Sequence, residues 1–226
     1  MSKVLILRPR PAADVTAARA RALRLDPIVA PLFEIRPLAW QMPSGAFDAL
    51  LLTSANAARQ AAHLPNLPCY AVGEATAEAA RSAGLRDIVI GPSDGAAVLA
   101  LAGADGRHRI LHLCGEEHLA LERDGIELVR RIVYRAEAAP QIPDAALAAI
   151  ADGAVVLLHS PRAARTFASL IRDRNKVQIA AISRVTADAA GQGWGAVQSA
   201  AEPRDQALLE LAAQLCKAAQ AQDRDR

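Results

Sequence analysis

Short, continuously apolar runs alternate with alanine-rich stretches along most of the chain. Runs that are apolar at every position are typical of parallel strands buried on both faces of a sheet. Strands are predicted at Val4–Leu7, Ala49–Leu52, Tyr70–Val72, Ile88–Ile90, Ile110–Leu113, Ile126–Val129, Val155–Leu158 and Ile179–Ile182. Helices are predicted by composition and period at Ala57–Ala62, Ala75–Ala83, Ala96–Leu101, Ala163–Arg172, Val185–Ala190 and Gln206–Ala219. The alternation predicts an α/β fold with parallel sheets covered on both faces.

The same succession of motifs occurs twice. Leu51–Arg59 matches Leu157–Arg165, and Lys3–Leu7 matches Arg109–Leu113, with the later copy about 106 positions further along in both cases. A period of this length is the size of a domain and too long for a solenoid repeat. The chain is therefore predicted to consist of two matched α/β halves.

Two proline-containing stretches without helical or strand periodicity are the clearest linkers. They are Arg36–Ala39 and Ala136–Pro140, which correspond to each other in the repeat. Division at these points predicts a middle lobe of residues 37–138. Residues 1–36 and 140–226 would form a discontinuous terminal lobe, with two chain crossings and a cleft between the lobes.

Composition excludes several classes of function. The 26 basic and 24 acidic residues give a net charge of +2, which provides no general attraction to nucleic acid or to an anionic membrane. Aromatic residues make up 3% of the chain, too few for a base-stacking platform. No apolar run reaches the roughly 18 residues that a membrane span needs, and Arg8 comes too early for a signal peptide. A cytoplasmic location is expected.

Motifs for metal, nucleotide and nucleophile chemistry are missing from the sequence. No GxGxxG, Walker A, HExxH or nucleophile-elbow pattern occurs, and the three cysteines form no CxxC pair. The odd cysteine count suits a reducing compartment. His108 and His112 fall in or beside a predicted strand, and His159 is interpreted as a packing residue. Cys69 and Cys114 are interpreted as small apolar residues of the sheet.

Four predicted strand-to-helix turns each carry a hydroxyl residue and free backbone N–H groups, which together favour an anion. They are Thr53–Asn56, Gly73–Thr76, His159–Arg162 and Ser183–Thr186. In open α/β sheets such turns lie at the carboxyl ends of the strands, where ligands bind. Any one of these hydroxyls alone is best explained as a helix N-cap. Four duplicated turns facing one cleft instead predict a ligand with several carboxylates.

Three further residues are candidates for the site. Arg8 follows the first strand and could bind a carboxylate, although a solvated surface arginine is an equal alternative. Gly115, at the equivalent turn of the repeat, would permit close backbone approach. Tyr134 closes the run Ile132–Tyr134 at a predicted strand end, where a phenol could act as a general acid. A half-buried structural tyrosine is the alternative, and the residues alone favour it.

Six motifs in order resemble the uroporphyrinogen-III synthase family. They are Leu51–Ala57 (LxTSxNA), Ala71–Ala77 (AVGxxTA), Val133–Tyr134, His159–Ala163 (HSPxA), Ala181–Ala187 (AISxxTA) and the segment from Trp194 to Leu208. Their order and spacing extend from Val4 to about Leu215. The resemblance implies two flavodoxin-like lobes with parallel sheets, joined by two linker strands.

The resemblance also implies an activity. Members of the family are cyclising lyases of tetrapyrrole (haem) biosynthesis. They act on hydroxymethylbilane, a linear tetrapyrrole with eight carboxylates. Water leaves, ring D is inverted through an azafulvene and a spirocyclic intermediate, and uroporphyrinogen III forms. The family uses no cofactor and no metal, and we expect a monomer with no nucleic-acid or membrane partner.

Family positions transfer to this sequence by motif. The tyrosine proposed to assist hydroxyl departure falls on Tyr134, and the threonines of the cleft fall on Thr76 and Thr186. The serine turns fall on Ser54 and Ser160, beside Asn56 and Arg162; Arg8, Gly73 and Gly115 complete the predicted substrate-binding set. The sequence departs from the family where Ser183 replaces a common glycine and where Leu7-Arg8 replaces Thr-Arg.

Two other functions remain open at this level. A two-lobed binding protein for a small polycarboxylate would use the same turns without catalysis, and would have no need of Tyr134. A dimeric regulator with duplicated receiver-like domains would need an acidic phosphorylation pocket. The first strand ends in Arg8 and its repeat in Cys114–Glu116, so this last alternative is the least favoured.

Overall fold

The computed structural model describes residues 2–91 and 94–224. Its strands are β1 Lys3–Ile6, β2 Asp26–Val29, β3 Phe33–Pro37, β4 Ala49–Leu52, β5 Cys69–Val72, β6 Ile88–Gly91, β7 Arg109–Gly115, β8 Glu127–Ala138, β9 Val155–Leu158, β10 Gln178–Ala181 and β11 Ala196–Ser199. Its helices are α1 Ala12–Ala22, α2 Ala55–Ala58, α3 Gly73–Ser82, α4 Gly95–Ala104, α5 Asp144–Ala151, α6 Pro161–Leu170, α7 Arg184–Ala190 and α8 Asp205–Arg224.

The chain divides into two compact units. Unit 1 contains Met1–Glu34 and Glu137–Arg226, and unit 2 contains Ile35–Ala136. The boundaries fall inside β3 and β8, so the chain passes between the units along strands.

Unit 1 is built on a five-stranded parallel sheet with the order β11-β10-β9-β1-β2. Counted along the chain, this is the 2-1-3-4-5 order of the flavodoxin-like fold. Side chains of β1 and β9 pack against α1 and α8 to form the core of this unit, with Val4, Ile6 and Leu157 fully buried. α8 is amphipathic because one of its faces packs into this core.

Unit 2 repeats that arrangement in a permuted chain order. Its sheet has the order β3-β8-β7-β4-β5-β6, and the described registers of β4 to β8 are parallel. Leu50 and Leu52 of β4 pack on the face covered by α2 and α3, while Ala49 and Leu51 pack on the face covered by α4. Burial of both faces explains why these strands are apolar at every position. The duplication predicted from the repeat is confirmed, because β4 and β7 occupy the places that β9 and β1 occupy in unit 1.

The predicted strands are confirmed, but several elements were missed. β2, β3, β11, α1 and α5 had no clear signal, because their residues are only partly buried or lack a marked period. The predicted helix Ala57–Ala62 is instead the single turn α2. Gly84 follows α3 with a φ of +96°, a backbone conformation that glycine adopts readily after a helix.

The two predicted linkers overlap the ends of strands, in agreement with the linker strands that the resemblance implies. β3 continues to Pro37 and β8 continues to Ala138. Proline is compatible with β3 because this strand lies at the edge of its sheet, where a missing N–H removes no interior ladder bond. Among the helices of residues 2–91 and 94–224, none combines the length and apolar character needed to cross a bilayer.

Candidate functional site

The carboxyl ends of β4 and β7 meet at the centre of the unit 2 sheet. These neighbours are the point where the strand order reverses direction, which is where open α/β sheets bind ligands. A pocket of about 300 Å³ lies at this edge. Its lining includes Thr53, Ser54, Val72, Gly115, His118 and Tyr134. The sheet topology therefore brings three of the predicted site residues, Ser54, Gly115 and Tyr134, to one pocket.

Tyr134 reaches the pocket from the middle of a strand. The prediction that it ends a strand is wrong, because β8 continues four residues further. The pairing of β7 with β8 shifts between Cys114 and Gly115, so that Gly115 lies opposite Tyr134. An irregularity of this kind re-aims a side chain, and here it accompanies the placement of the phenol beside the end of β4.

The phenol is paired with the hydroxyl of Ser54. Ser54 Oγ lies 3.0 Å from Tyr134 Oη, and it also accepts hydrogen bonds from the N–H groups of Asn56 at 3.1 Å and Ala57 at 3.4 Å. A serine oxygen has two lone pairs and one hydrogen. Because both lone pairs are then used by the helix start, we assign the Ser54 hydrogen to the contact with Tyr134. The phenolic hydrogen of Tyr134 is then available to a ligand.

Gly115 makes room for this tyrosine. A Cβ atom built on Gly115 would lie 2.6 Å from Tyr134 Cζ and 2.8 Å from its Oη. The group that closely approaches the Gly115 backbone is thus the Tyr134 ring.

Thr53 lines the pocket, although it is not among the substrate-binding residues predicted from the sequence. Its Oγ1 lies 3.1 Å from Nε2 of His112, which is fully buried in β7. Burial, with smaller contributions from His118 and Arg130, lowers the pKa of His112 to about 4, so the ring is neutral near pH 7. We assign its proton to Nε2, because the buried Nδ1 has no partner among the described residues. The Thr53 hydroxyl hydrogen is then free to point into the pocket.

The helix starts differ in how far they are already capped. Ser54, Ser160 and Ser183 each accept a backbone N–H of their own helix, so the N-cap explanation is confirmed for these three hydroxyls. α3 has no side-chain cap, and it begins at Gly73 with a φ of +72°. The orphan N–H groups of this ten-residue helix are the ones left for an external anion.

The two predicted cleft threonines are buried. Thr186 is fully buried, with Oγ1 3.1 Å from Ser183 Oγ, and Thr76 is 5% exposed. Neither side chain is open to a ligand in this conformation. Asn56 is half-buried and accepts a hydrogen bond from Arg59 at 2.8 Å.

The family profile described as uroporphyrinogen-III synthase HemD (HEM4) matches residues 14–210. The chain belongs to the uroporphyrinogen-III synthase family. The solved structure of uroporphyrinogen-III synthetase from Helicobacter pylori is similar with a TM-score of 0.66 and 19% identity, over 95% of this chain and 100% of that chain. A mutant uroporphyrinogen III synthase from the extremely thermophilic bacterium Thermus thermophilus is similar with a TM-score of 0.52 and 18% identity, over 95% and 99%. The comparison with curated sequences returns no match.

In unit 1 of this synthase family member, the equivalent sheet edge holds an ionic network instead of a hydroxyl pair. Asp205, at the start of α8, accepts hydrogen bonds from Thr16 at 2.9 Å, His159 at 3.0 Å and Arg19 at 3.0 Å. Arg8 Nη1 lies 3.6 Å from the same carboxylate. The interpretation of His159 as a packing residue is therefore incomplete, since its Nε2 donates to Asp205.

Burial by itself would raise the pKa of Asp205. Hydrogen bonds from His159, Thr16 and Arg19 outweigh this effect and lower that pKa to about 2. Burial lowers the pKa of His159, which therefore donates as a neutral ring. Arg8 is half-buried in this network, and Arg162 lies over the Phe33 ring at 4.5 Å from its centroid. Both predicted carboxylate-binding arginines thus have internal contacts as well.

The remaining nucleophiles and ligand groups are not arranged for other chemistry. Burial raises the pKa of Cys69 to about 12 and also raises that of Cys114, which keeps both thiols protonated. Within the described parts of the chain, no three His, Cys, Asp or Glu side chains are grouped to hold a metal ion.

Replacing Gly115 by alanine is expected to lower kcat about tenfold or more. The added methyl group must displace the Tyr134 ring and break its contact with Ser54, while a ring at the end of a side chain can shift without unfolding the sheet. Steady-state kinetics on hydroxymethylbilane measure the effect. Gly103→Ala in α4 is the matched control, since the atoms nearest to its Cβ belong to Arg123 and Ile126, which do not line the pocket. A G115A enzyme with wild-type kcat would show that the position of the ring is unimportant.

Proposed function

We propose that the chain converts hydroxymethylbilane to uroporphyrinogen III and that Tyr134 donates the proton on which departure of the terminal hydroxyl depends. The family is a cyclising lyase of tetrapyrrole biosynthesis, and the chain belongs to it over residues 14–210. The observation that supports the role of Tyr134 is its pair with the Ser54 hydroxyl at 3.0 Å in the lining of the pocket.

The first chemical step needs an acid. The carbon–oxygen bond of the hydroxymethyl group breaks, the electron pair goes to oxygen, and the proton of Tyr134 converts that oxygen to water. The adjacent pyrrole nitrogen supplies electrons to the methylene carbon and keeps its hydrogen, which gives the protonated azafulvene, a cation. A hydroxide leaving group is poor in a pocket with apolar walls such as Val72 and Leu121, so proton donation lowers this barrier.

Binding in unit 2 is proposed to rely on neutral donors. The open start of α3 at Gly73 would take a substrate carboxylate through backbone N–H groups, and the residue before it, Val72, lines the pocket together with Thr53. The proposed substrate-binding residues are Ser54, Asn56, Gly73, Thr76 and Gly115 in unit 2, and Arg8, Ser160, Arg162 and Thr186 in unit 1. Neutral donors agree with the small net charge of +2. For Thr76 and Thr186, binding requires a rearrangement that exposes them. A cytoplasmic monomer is part of the same proposal.

Selectivity is proposed to come from positioning. The linear substrate closes without inversion when left alone, so the enzyme must favour attack at the substituted carbon that leads to the spirocycle. Holding the two chain ends in reactive geometry can supply several kcal/mol of that preference.

The decisive assay is identification of the product isomer. The purified chain is incubated with freshly prepared hydroxymethylbilane, the product is oxidised, and the porphyrin isomers are separated by chromatography. We expect isomer III, formed faster than isomer I forms in a protein-free control. Isomer I alone at the background rate would reject the synthase, and saturable substrate binding in that case would identify a polycarboxylate-binding protein.

A further inference from the structure

His118 borders the same pocket as the hydroxyl pair. It lies three residues after Gly115, and its Nδ1 is 2.9 Å from the carbonyl oxygen of Gly115. A carbonyl oxygen only accepts hydrogen bonds, so Nδ1 carries a hydrogen. The ring is thereby held at the end of β7, and Nε2 is the nitrogen that can gain or release a proton.

The reaction needs a proton acceptor as well as a donor. After the hydroxyl has left, the methylene carbon bonds to the substituted carbon of ring D to give the spirocycle, which reopens so that the unsubstituted carbon of ring D can close the macrocycle. That second carbon must finally lose its hydrogen as a proton. Tyr134, having given up its proton, must also regain one before the next turnover. An imidazole that lines the same pocket as the phenol can serve both steps, because it takes up the first proton and can return one to the phenolate.

We propose that His118 is a second catalytic residue of this reaction, whose Nε2 accepts the proton that the ring carbon releases on closure of the macrocycle. This inference rests on the proposed synthase function. The proton count is balanced, since Tyr134 delivers one proton to the departing hydroxyl, His118 takes one from carbon, and transfer from His118 to Tyr134 restores both. The exposed ring of His118 can also exchange protons with solvent.

His112, the neighbouring histidine, cannot serve as this proton acceptor. His112 lies with its ring centroid 6.3 Å from that of His118, but it is fully buried and its Nε2 is used by Thr53. It acts as a positioning residue for the Thr53 hydroxyl.

The acidic side chains that line the pocket are Asp94 and Glu117. Asp94 accepts the Ala97 N–H at 2.7 Å as the cap of α4, so it is less suited to accept a proton.

The test compares two His118 variants with a matched histidine. His118→Ala removes the base, and His118→Gln keeps a donor for the Gly115 carbonyl without a group that accepts a proton. His108→Ala is the control, because His108 also places Nδ1 near a glycine carbonyl, that of Gly125 at 3.3 Å, but does not line the pocket. Thermal unfolding of each variant checks that it is folded.

We expect kcat for uroporphyrinogen III to fall about 10- to 100-fold in both His118 variants, with KM changed less than about threefold. Free imidazole should restore activity to H118A but should not stimulate H108A or Tyr134→Phe. A kcat within twofold of wild type in the folded H118Q enzyme, or a raised KM with unchanged kcat, would overturn the proposal. The wild-type isomer assay separates the two ideas, since isomer III from wild type with unaffected His118 variants rejects only the role of His118.

Discussion

A Tyr134→Phe enzyme is expected to retain its fold and to lose about 99% of its kcat, the lower end of what a positioned general acid contributes. The substitution removes only the phenolic oxygen, which is the partner of Ser54 at 3.0 Å. The ring still fills the space left by Gly115, so packing of β7 against β8 is kept. Activity should not disappear, because orientation of the two substrate ends continues to favour the inverted product.

Stopped or steady-state assays of isomer III formation measure this loss, and the ratio of isomers III and I reports whether positioning survives. The matched control is Tyr70→Phe in the same unit. Tyr70 Oη donates to Asp105 at 2.7 Å and does not line the pocket, so this variant should lose some stability and keep its kcat. Unchanged kinetics in Y134F would mean that the phenol is not the acid.

A double variant tests whether Gly115 and Tyr134 affect the rate through the same contact. If G115A acts only by displacing the phenol, the double variant G115A/Y134F should be no slower than Y134F alone. Residues that share one contact give non-additive effects of this kind. Multiplication of the two single losses would instead assign Gly115 a separate role in binding.

Asp205→Ala is expected to lower the free energy of unfolding by about 3 kcal/mol, the largest stability effect that we predict. The carboxylate is only 10% exposed and accepts hydrogen bonds from Thr16, His159 and Arg19. Its removal takes away the hydrogen-bond partner of Nε2 of the buried His159. It also leaves the half-buried Arg8 guanidinium without its carboxylate.

The pH dependence of stability provides an independent measurement of the same network. The pKa of Asp205 in the folded chain is about 2, below the ordinary value of 3.8. The ionised carboxylate therefore stabilises the fold at and above pH 4, and this contribution of about 2 kcal/mol is lost as the pH falls from 4 to 2. Urea unfolding of wild type and Asp205→Asn at pH 7 and at pH 2.5 should show a difference that shrinks in acid.

Asp188→Asn is the control for both measurements. Asp188 pairs with Arg184 at 3.0 Å on the surface of α7, with both side chains largely exposed, and such pairs add little to stability. An Asp205 variant no less stable than this control would show that the network at the edge of unit 1 is not a determinant of the fold.

Local sequence patterns were sufficient to predict the central strands and the internal repeat. β4 and β9 were predicted because parallel strands buried on both faces need apolar residues at every position, and that requirement is visible in four consecutive residues. The caps Ser54 and Ser160 were equally visible, since an N-cap bonds to an N–H only two or three residues away. The edge strands β2, β3 and β11 were missed because partial burial imposes no such pattern.

The sequence alone therefore determined the fold class, the duplication and the family, and it singled out Tyr134 through the motif. Only the tertiary structure decided what Tyr134 contacts. Ser54 lies 80 residues from Tyr134, Thr53 lies 59 residues from His112, and His159 lies 46 residues from Asp205. Such pairs form because the order and register of parallel strands bring their carboxyl ends together, and no local period records which distant side chains will meet there.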